Sequence, residues 1–126
     1  MNDFFHGEGT LTDVKGYKYS GNWSYGKRLG RGEEVHVTGE RFRGQFENNM
    51  YDGIGRLTLS SGHEMIGSFL KGKPNGVVQE TNLKKKKSKS YYENRVKSKK
   101  PKNVNMNSTF KKIDEELKSI ETFMRL

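Results

Sequence analysis

The stretch FRGQF at residues 42–46 places a glycine midway between two phenylalanines. The same arrangement occurs 23 residues earlier as YSGNW at 19–23, and 23 residues later as MIGSF at 65–69. Alternate residues of a β-strand lie on one face of the sheet, so the pattern predicts a strand that carries ring, glycine and ring on the same face. A period of this length is typical of stacked units that bury an apolar face between them.

Glycines follow the same period in four columns. The columns are Gly21, Gly44 and Gly67; Gly16, Gly39 and Gly62; Gly7, Gly30, Gly53 and Gly76; and Gly9, Gly32 and Gly55. Glycine inside a strand costs stability, so its recurrence indicates that a ring from a neighbouring strand lies across it. We expect an aromatic ladder on one face of the sheet, made by Tyr19, Trp23, Phe42, Phe46 and Phe69.

Each period has the length of one β-hairpin. The aromatic strand is followed by a turn-rich stretch such as ENNMYDG at 47–53, and then by a second strand such as GRLTLS at 55–60. The predicted repeat region is 1–81, with a half repeat at 4–18 and full units near 19–41, 42–64 and 65–81.

These features resemble a known family. Tyr-x-Gly-x-Trp followed by Gly-Lys-Arg-x-Gly-x-Gly, as it stands in YSGNWSYGKRLGRG at 19–32, resembles the MORN repeat (membrane occupation and recognition nexus). The resemblance covers roughly residues 4–78. It implies a mainly β fold, an elongated single antiparallel sheet of stacked hairpins. It also implies a role in scaffold, cytoskeletal, ciliary or membrane-apposed proteins, without catalytic activity.

The first unit lacks its aromatic strand, so the sheet would begin with an open edge. An open edge is a template for another strand, and we expect it to pair with another chain or with a second copy of this one. The alternative is that Phe4, Phe5 and His6 fray or fold over the edge.

The net charge of +9 is concentrated in residues 82–107, which carry ten basic residues and one acid, Glu93. The basic residues are Lys84, Lys85, Lys86, Lys87, Lys89, Arg95, Lys97, Lys99, Lys100 and Lys102. Lysine at this density predicts an extended, solvated linker. Tyr92, however, continues the column of Trp23, Phe46 and Phe69, which favours a degenerate fourth repeat that caps the sheet.

The basic segment suits a polyanion, such as the acidic tails of tubulin or an anionic membrane surface. Nucleic acid is a weaker candidate, because no recognised nucleic-acid-binding module accompanies the charge. The simplest alternative is a solubilising linker or an import-like run.

Residues 108–126 change to a helical period. Phe110, Ile113, Leu117, Ile120 and Met124 recur at spacings of three and four, which predicts an amphipathic helix capped by Ser108 or Thr109. Asp114 with Lys118 and Glu121 with Arg125 form favourable i, i+4 pairs. The apolar stripe either binds a partner protein or docks on the aromatic face of its own sheet; a membrane-surface position is a third, weaker alternative.

No catalytic, metal or cofactor site is predicted. The chain has no cysteine, which excludes disulfides and thiolate sites and favours a reducing cytoplasmic setting. His6, His36 and His63 lack metal-ligand spacing and are predicted at the surface. Glu33 and Glu34 are adjacent, so on a strand they face opposite sides and cannot act together as acid and base.

Two functions follow as hypotheses. The first is a non-enzymatic scaffold that binds protein partners in a cytoskeletal assembly, in a cilium or axoneme, with the basic segment on an acidic surface. The second is a peripheral membrane adaptor that binds anionic phosphoinositides through residues 84–102.

Overall fold

The computed structural model describes residues 7–124, so Phe4, Phe5, His6 and Arg125 lie outside the described residues. The described residues form nine strands and one helix: β1 (Gly7–Thr12), β2 (Lys18–Ser24), β3 (Lys27–Val35), β4 (Arg41–Glu47), β5 (Met50–Thr58), β6 (Glu64–Leu70), β7 (Lys73–Thr81), β8 (Lys87–Glu93), β9 (Val96–Ser98) and α1 (Met106–Met124). The strands make one open antiparallel sheet in chain order. The predicted fold, a mainly β single sheet followed by a helix, is confirmed.

The 23-residue period is visible in the strand register. Gly9 pairs with Gly21, Gly32 with Gly44 and Gly55 with Gly67. Within the hairpins a bulge follows Gly21, Gly44 and Gly67 in turn. A bulge increases local twist, so its recurrence adds twist at the same place in each of these three hairpins.

Two kinds of connection alternate along the sheet. Two-residue turns close the hairpins, and both residues have positive φ in each: Tyr25 and Gly26, Asn48 and Asn49, Lys71 and Gly72, Asn94 and Arg95. This is the geometry of type I′ turns, whose twist matches that of the flanking strands. Five-residue loops at 13–17, 36–40, 59–63 and 82–86 join one hairpin to the next.

The segment 82–107 is not a simple extended linker. Residues 87–98 form the hairpin of β8 and β9, and Gly76 pairs with Tyr92 as Gly30 pairs with Phe46. In the loop before β8, Asn82 Oδ1 accepts hydrogen bonds from two backbone N–H groups, as Asp13 Oδ1 does in the first loop. A fourth unit is thus present without its glycines.

Helix α1 crosses the sheet and contacts β3 to β8. Its 19 residues span about 28 Å, and six strands span about 24 Å between their axes. The helix begins two residues before the predicted position, because Asn105 and not Ser108 or Thr109 is the cap: Asn105 Oδ1 accepts the backbone N–H of Ser108. The expected Asp114 to Lys118 ion pair is present at 3.0 Å.

The sheet buries a different set of apolar side chains on each face. One cluster contains the aromatic ladder, and the other contains α1 with the apolar residues beneath it. The alternative in which α1 docks on the aromatic face is therefore wrong; the helix covers the opposite face.

Candidate functional site

The aromatic ladder is core and not an exposed surface. Tyr19, Trp23, Phe42, Phe46 and Phe69 are all buried, with at most 9% of any of them exposed. Their rings meet edge to face: Tyr19 lies 5.0 Å from Trp23, and Phe42 lies 5.3 Å from Phe46 and 5.2 Å from Phe69. This is the geometry that aromatic quadrupoles favour. The ladder therefore stabilises the sheet and leaves little ring surface for a partner.

The glycines of one column make room for these rings. A Cβ added to Gly32 would overlap the Tyr19 ring, and one added to Gly55 would overlap the Phe42 ring. In the third unit Met65 stands in place of the ring and Val78 stands in place of the glycine. A flexible side chain there faces a branched one. Ring and glycine are replaced together, which is what a shared volume requires.

A polar cluster that the sequence did not predict borders the ladder. Glu34 is buried and forms an ion pair with Arg28, while its Oε1 accepts a hydrogen bond from the Tyr17 hydroxyl at 2.7 Å. His36 Nε2 lies 2.8 Å from Glu34 Oε2, and Glu40 Oε2 accepts the Tyr51 hydroxyl at 3.2 Å. Arg28 neutralises the buried Glu34 carboxylate, and hydrogen bonds satisfy its oxygens. We therefore interpret the cluster as a structural network.

The histidines differ in their environment. His36 is half-buried and engaged with Glu34, so its predicted place at the surface is only partly right. His63 is exposed, beside the Ser61 hydroxyl at 3.0 Å, and His6 lies outside the described residues. Among residues 7–124, no group of three or more His, Cys, Asp or Glu is placed to hold a metal ion.

The apolar stripe of α1 packs on its own sheet. Phe110, Ile113, Leu117 and Ile120 are buried, and Leu117 is fully buried. The residues beneath them are Ile54, Ile66, Val77 and Tyr91, which point to the face opposite the aromatic ladder. These four side chains are thus unavailable to a partner while α1 is docked. Met124 is half-buried at the helix end.

An ion-pair network fixes the C-terminal half of α1. Glu121 Oε2 accepts a hydrogen bond from Arg43 at 2.9 Å, and Glu121 Oε1 accepts one from Arg56 at 3.2 Å. Glu33 and Glu64 pair with the same two arginines. Burial raises the pKa of the Glu121 carboxyl, but the hydrogen bonds and charges of Arg56 and Arg43 outweigh burial and lower its pKa overall.

The ten basic residues proposed for a polyanion lie on and around the last hairpin. Two already have partners in the fold: Lys97 pairs with Glu80 at 3.2 Å, and the Lys89 ammonium lies 5.4 Å from the centre of the Phe110 ring. The other eight are exposed and form no ion pair within the described residues. They are Lys84, Lys85, Lys86, Lys87, Arg95, Lys99, Lys100 and Lys102.

The structure brings part of this set together. Lys100 and Lys102 line a shallow cavity with Lys89, next to the start of α1. Lys87 begins the same strand as Lys89, and residues 84–86 form the loop before it. Arg95 lies in the turn at the opposite end of the hairpin. We give the name basic end to seven of the ten basic residues: residues 84–87, Lys99, Lys100 and Lys102. Lys89, Arg95 and Lys97 are not included.

Comparison with known proteins gives one result. The model of the MORN repeat matches residues 1–16, 19–41 and 42–64, and no curated protein matches the chain. The matched units end at residue 64, whereas the hairpin register continues through β8 and β9. Within residues 7–124, no helix is long and apolar enough to cross a membrane. Sequence period, register and family match agree, and the chain belongs to the MORN-repeat family.

Proposed function

We propose that the chain is a non-enzymatic scaffold protein that holds an acidic protein surface through its basic end, within a cytoskeletal assembly. MORN repeats are generally protein or lipid interaction motifs and form a non-enzymatic repeat family, which is compatible with a scaffold role. The observation that carries the proposal is the uneven charge: seven exposed basic residues adjoin one hairpin of a sheet that is otherwise formally neutral.

Basic residues held on a folded hairpin should bind an acidic surface more tightly than the same residues on a free linker. Lys87 lies on a strand and residues 84–86 lie in an ordered loop held by Asn82, so their backbone is fixed before a partner arrives. A partner then avoids much of the entropy loss of ordering that segment. Because the lysine side chains are solvated, their attraction to an acidic surface will weaken as salt concentration rises.

The experiment is co-sedimentation of the full chain with microtubules, whose acidic tails are a polyanion of the required kind. The test variant carries Lys84, Lys85, Lys86 and Lys87 changed to glutamine. A matched control removes four lysines elsewhere, Lys15, Lys27, Lys111 and Lys112, all of which are exposed. We expect binding to fall at least tenfold in the test variant and to change little in the control.

Microtubules stripped of their acidic tails give the second arm. Equal binding to stripped and intact microtubules, or equal loss in both variants, would contradict the proposal for this surface.

The alternative function is a peripheral membrane adaptor that binds anionic phosphoinositides through residues 84–102. The same exposed lysines favour it, since each basic residue near an anionic surface contributes about 1 kcal/mol. Flotation with phosphoinositide-containing vesicles tests it with the same two variants. Vesicle binding that depends on residues 84–87, together with no binding to microtubules, would select the membrane function.

A second contact of the scaffold would be the outer edge of β1. All six residues of β1 are exposed, and in the described part of the chain the strand pairs only with β2. Such an edge accepts another strand. Sedimentation velocity at rising protein concentration tests whether that strand comes from a second copy of the chain. A chain that stays monomeric at every concentration would contradict self-association through β1.

A further inference from the structure

A cavity of about 500 Å³ opens on the aromatic face where the ladder ends. Leu59 and Met65 form its apolar side, and Glu80, Ser88 and Tyr92 line the side toward β8. It shares one lining residue with the basic end, Lys86.

The internal repeat shows what the cavity lacks. The position occupied by Tyr19 and Phe42 in the first two full units is occupied by Met65 in the third and by Ser88 in the fourth. In the first two units that ring packs edge to face on the ring four residues later, at 5.0 and 5.3 Å. The fourth unit keeps only the second ring, Tyr92.

Tyr92 is held in place by a carboxylate. Its hydroxyl donates a hydrogen bond to Glu80, and Lys97 pairs with the other carboxylate oxygen of the same residue. Burial, together with this carboxylate, raises the pKa of Tyr92 to about 12, so the hydroxyl stays protonated. Within residues 7–124, the Tyr92 ring makes no stacking contact with another ring, whereas Phe46 contacts Tyr19, Phe42 and Tyr51.

Two replacements, at positions 65 and 88, explain why space remains. Ser88 pairs with Glu80 across β7 and β8, as Phe42 pairs with Glu34 across β3 and β4. In the earlier units the ring of this column leans over the following strand, as Phe42 does over Gly55, and reaches the second ring of the next unit, Phe69, at 5.2 Å. Met65 stands in this relation to Tyr92; it is half-buried and has no ring, and Ser88 adds little bulk beside it. The rest of the site is already assembled, with an apolar wall and an orientated ring.

We propose that this cavity binds an aromatic side chain of a partner protein, which lies against Tyr92 as Tyr19 lies against Phe46 and Phe42 against Phe69. The incoming ring packs against Met65 and Leu59 and meets Tyr92 edge to face. Aromatic residues are the commonest anchors in protein interfaces, because they bury a large area with few rotatable bonds. The site adjoins the basic end at Lys86 but recognises an aromatic ring and not a charge, so it adds a second kind of recognition to the same hairpin.

The test uses N-acetyl amides of single amino acids as probes. The full chain, labelled with ¹⁵N, is titrated with N-acetyl-phenylalaninamide, N-acetyl-tyrosinamide and N-acetyl-leucinamide while amide shifts are followed by NMR. We expect the two aromatic probes to give saturable shifts at Met65, Glu80 and Tyr92, with affinity at least several-fold greater than that of the leucine probe.

Three variants make the result specific. Ser88→Phe adds a ring at the wall of the cavity beside Tyr92, so aromatic probes should bind at least tenfold more weakly and the melting temperature should rise. Ser88→Ala keeps the space and should bind like the natural chain. Ser119→Phe adds the same ring on the exposed side of α1 and should change neither quantity.

The proposal is overturned by an absence of saturable shifts at the cavity, by equal binding of the leucine and aromatic probes, or by unchanged aromatic binding in Ser88→Phe. Because Ser88→Ala preserves the cavity, loss of binding there also counts against it. None of these outcomes depends on whether the basic end binds microtubules or vesicles.

Discussion

Phe42 lies across Gly55, and a methyl group added to Gly55 would overlap atoms of the ring. The ring has no room to move away, because it stacks on Tyr51 at 3.9 Å and meets Phe46 and Phe69 at its edges. Gly9 occupies the same column, yet the nearest atom to a Cβ there would be Trp23 Nε1 at 3.4 Å, an ordinary contact. Two glycines of one column thus differ in what surrounds them.

We therefore expect Gly55→Ala to destabilise the chain by about 3 kcal/mol, the upper end of the usual range for overpacking. Gly9→Ala should change stability by less than about 1 kcal/mol. Urea unfolding followed by tryptophan fluorescence measures both. Similar losses in the two variants would mean that the column reflects backbone preference and not the space taken by a ring.

The third unit suggests a compensating pair at the same site. Met65 and Val78 replace ring and glycine there, so the double variant Phe42→Met with Gly55→Val should be more stable than Gly55→Val alone. A double-mutant cycle measures this coupling, which we expect to exceed 1 kcal/mol because the two side chains share one volume. Additive effects would contradict the shared-volume account.

At this scale the sequence predicts what repeats and misses what does not. The ring and glycine columns were visible because three units share them. The Glu34 cluster was not, because Arg28 becomes Tyr51 in the next unit and Pro74 in the one after. Partners that occur in a single unit leave no periodic signal.

Helix α1 was predicted from its period of three and four, but the face that it covers was not. An apolar stripe on a helix fits any apolar surface, and the aromatic ladder was the more obvious one. The signal that could have shown it lies in the strand residues that point away from the aromatic ladder. In β5 to β7 these include Ile54, Ile66 and Val77, which are apolar. In the earlier strands they include Ser20, Arg31 and Arg43, which are polar. These positions are apolar beneath the first part of α1, whereas Arg31 and Arg43 meet Phe123 and Glu121 at its C-terminal end.

The ion pairs of Glu121 should anchor α1 to the sheet. Glu121→Gln removes a mostly buried charge from between Arg43 and Arg56, and we expect a loss of about 2 kcal/mol. The loss is moderated because Glu33 and Glu64 still pair with the arginines. Glu116→Gln changes an exposed residue of the same helix and is the control. Thermal unfolding measures the stability of both variants. If Glu116→Gln were as unstable as Glu121→Gln, the ion pairs of Glu121 would not explain the loss.

Acid should loosen the helix for the same reason. The pKa of Glu121 is lower in the folded chain than in the unfolded chain, where a glutamate titrates at about 4.3. Its contribution to stability is therefore complete above that value and is lost as pH falls through the lower, folded pKa. In the natural chain, α1 should lose hydrogen-exchange protection at acid pH sooner than β5. Glu121→Gln should show a smaller pH dependence, and an identical pH profile in the two proteins would contradict the assignment.

Across the whole molecule, the fourth unit shows how far a repeat can lose its sequence and keep its fold. Lys85 has positive φ in the column of Gly16, Gly39 and Gly62, and Asn94 with Arg95 forms the last type I′ turn. Lysine and arginine adopt that conformation less readily than glycine. Composition therefore indicated a linker, while Tyr92 and the repeat of FEN at 46–48 as YEN at 92–94 pointed to a fourth unit.

Protection from hydrogen exchange should follow position in the sheet. Strand β1 is exposed throughout and β9 has only three residues, while β4 to β7 are covered by the ladder on one face and by α1 on the other. We expect amides of β1 and β9 to exchange fastest and those of β4 to β7 slowest, measured by mass spectrometry at a concentration where the chain is monomeric. Uniform protection from β1 to β9 would show that the sheet opens as one unit.

The path of α1 across six strands has a mechanical consequence. Hydrogen bonds between strands run perpendicular to them, so a load applied across an open sheet would peel it one strand at a time. Because α1 contacts β3 to β8, those strands cannot part without also leaving the helix, which acts as a transverse brace. Under tension β1, β2 and β9 would yield first, and the braced strands would resist as a single block.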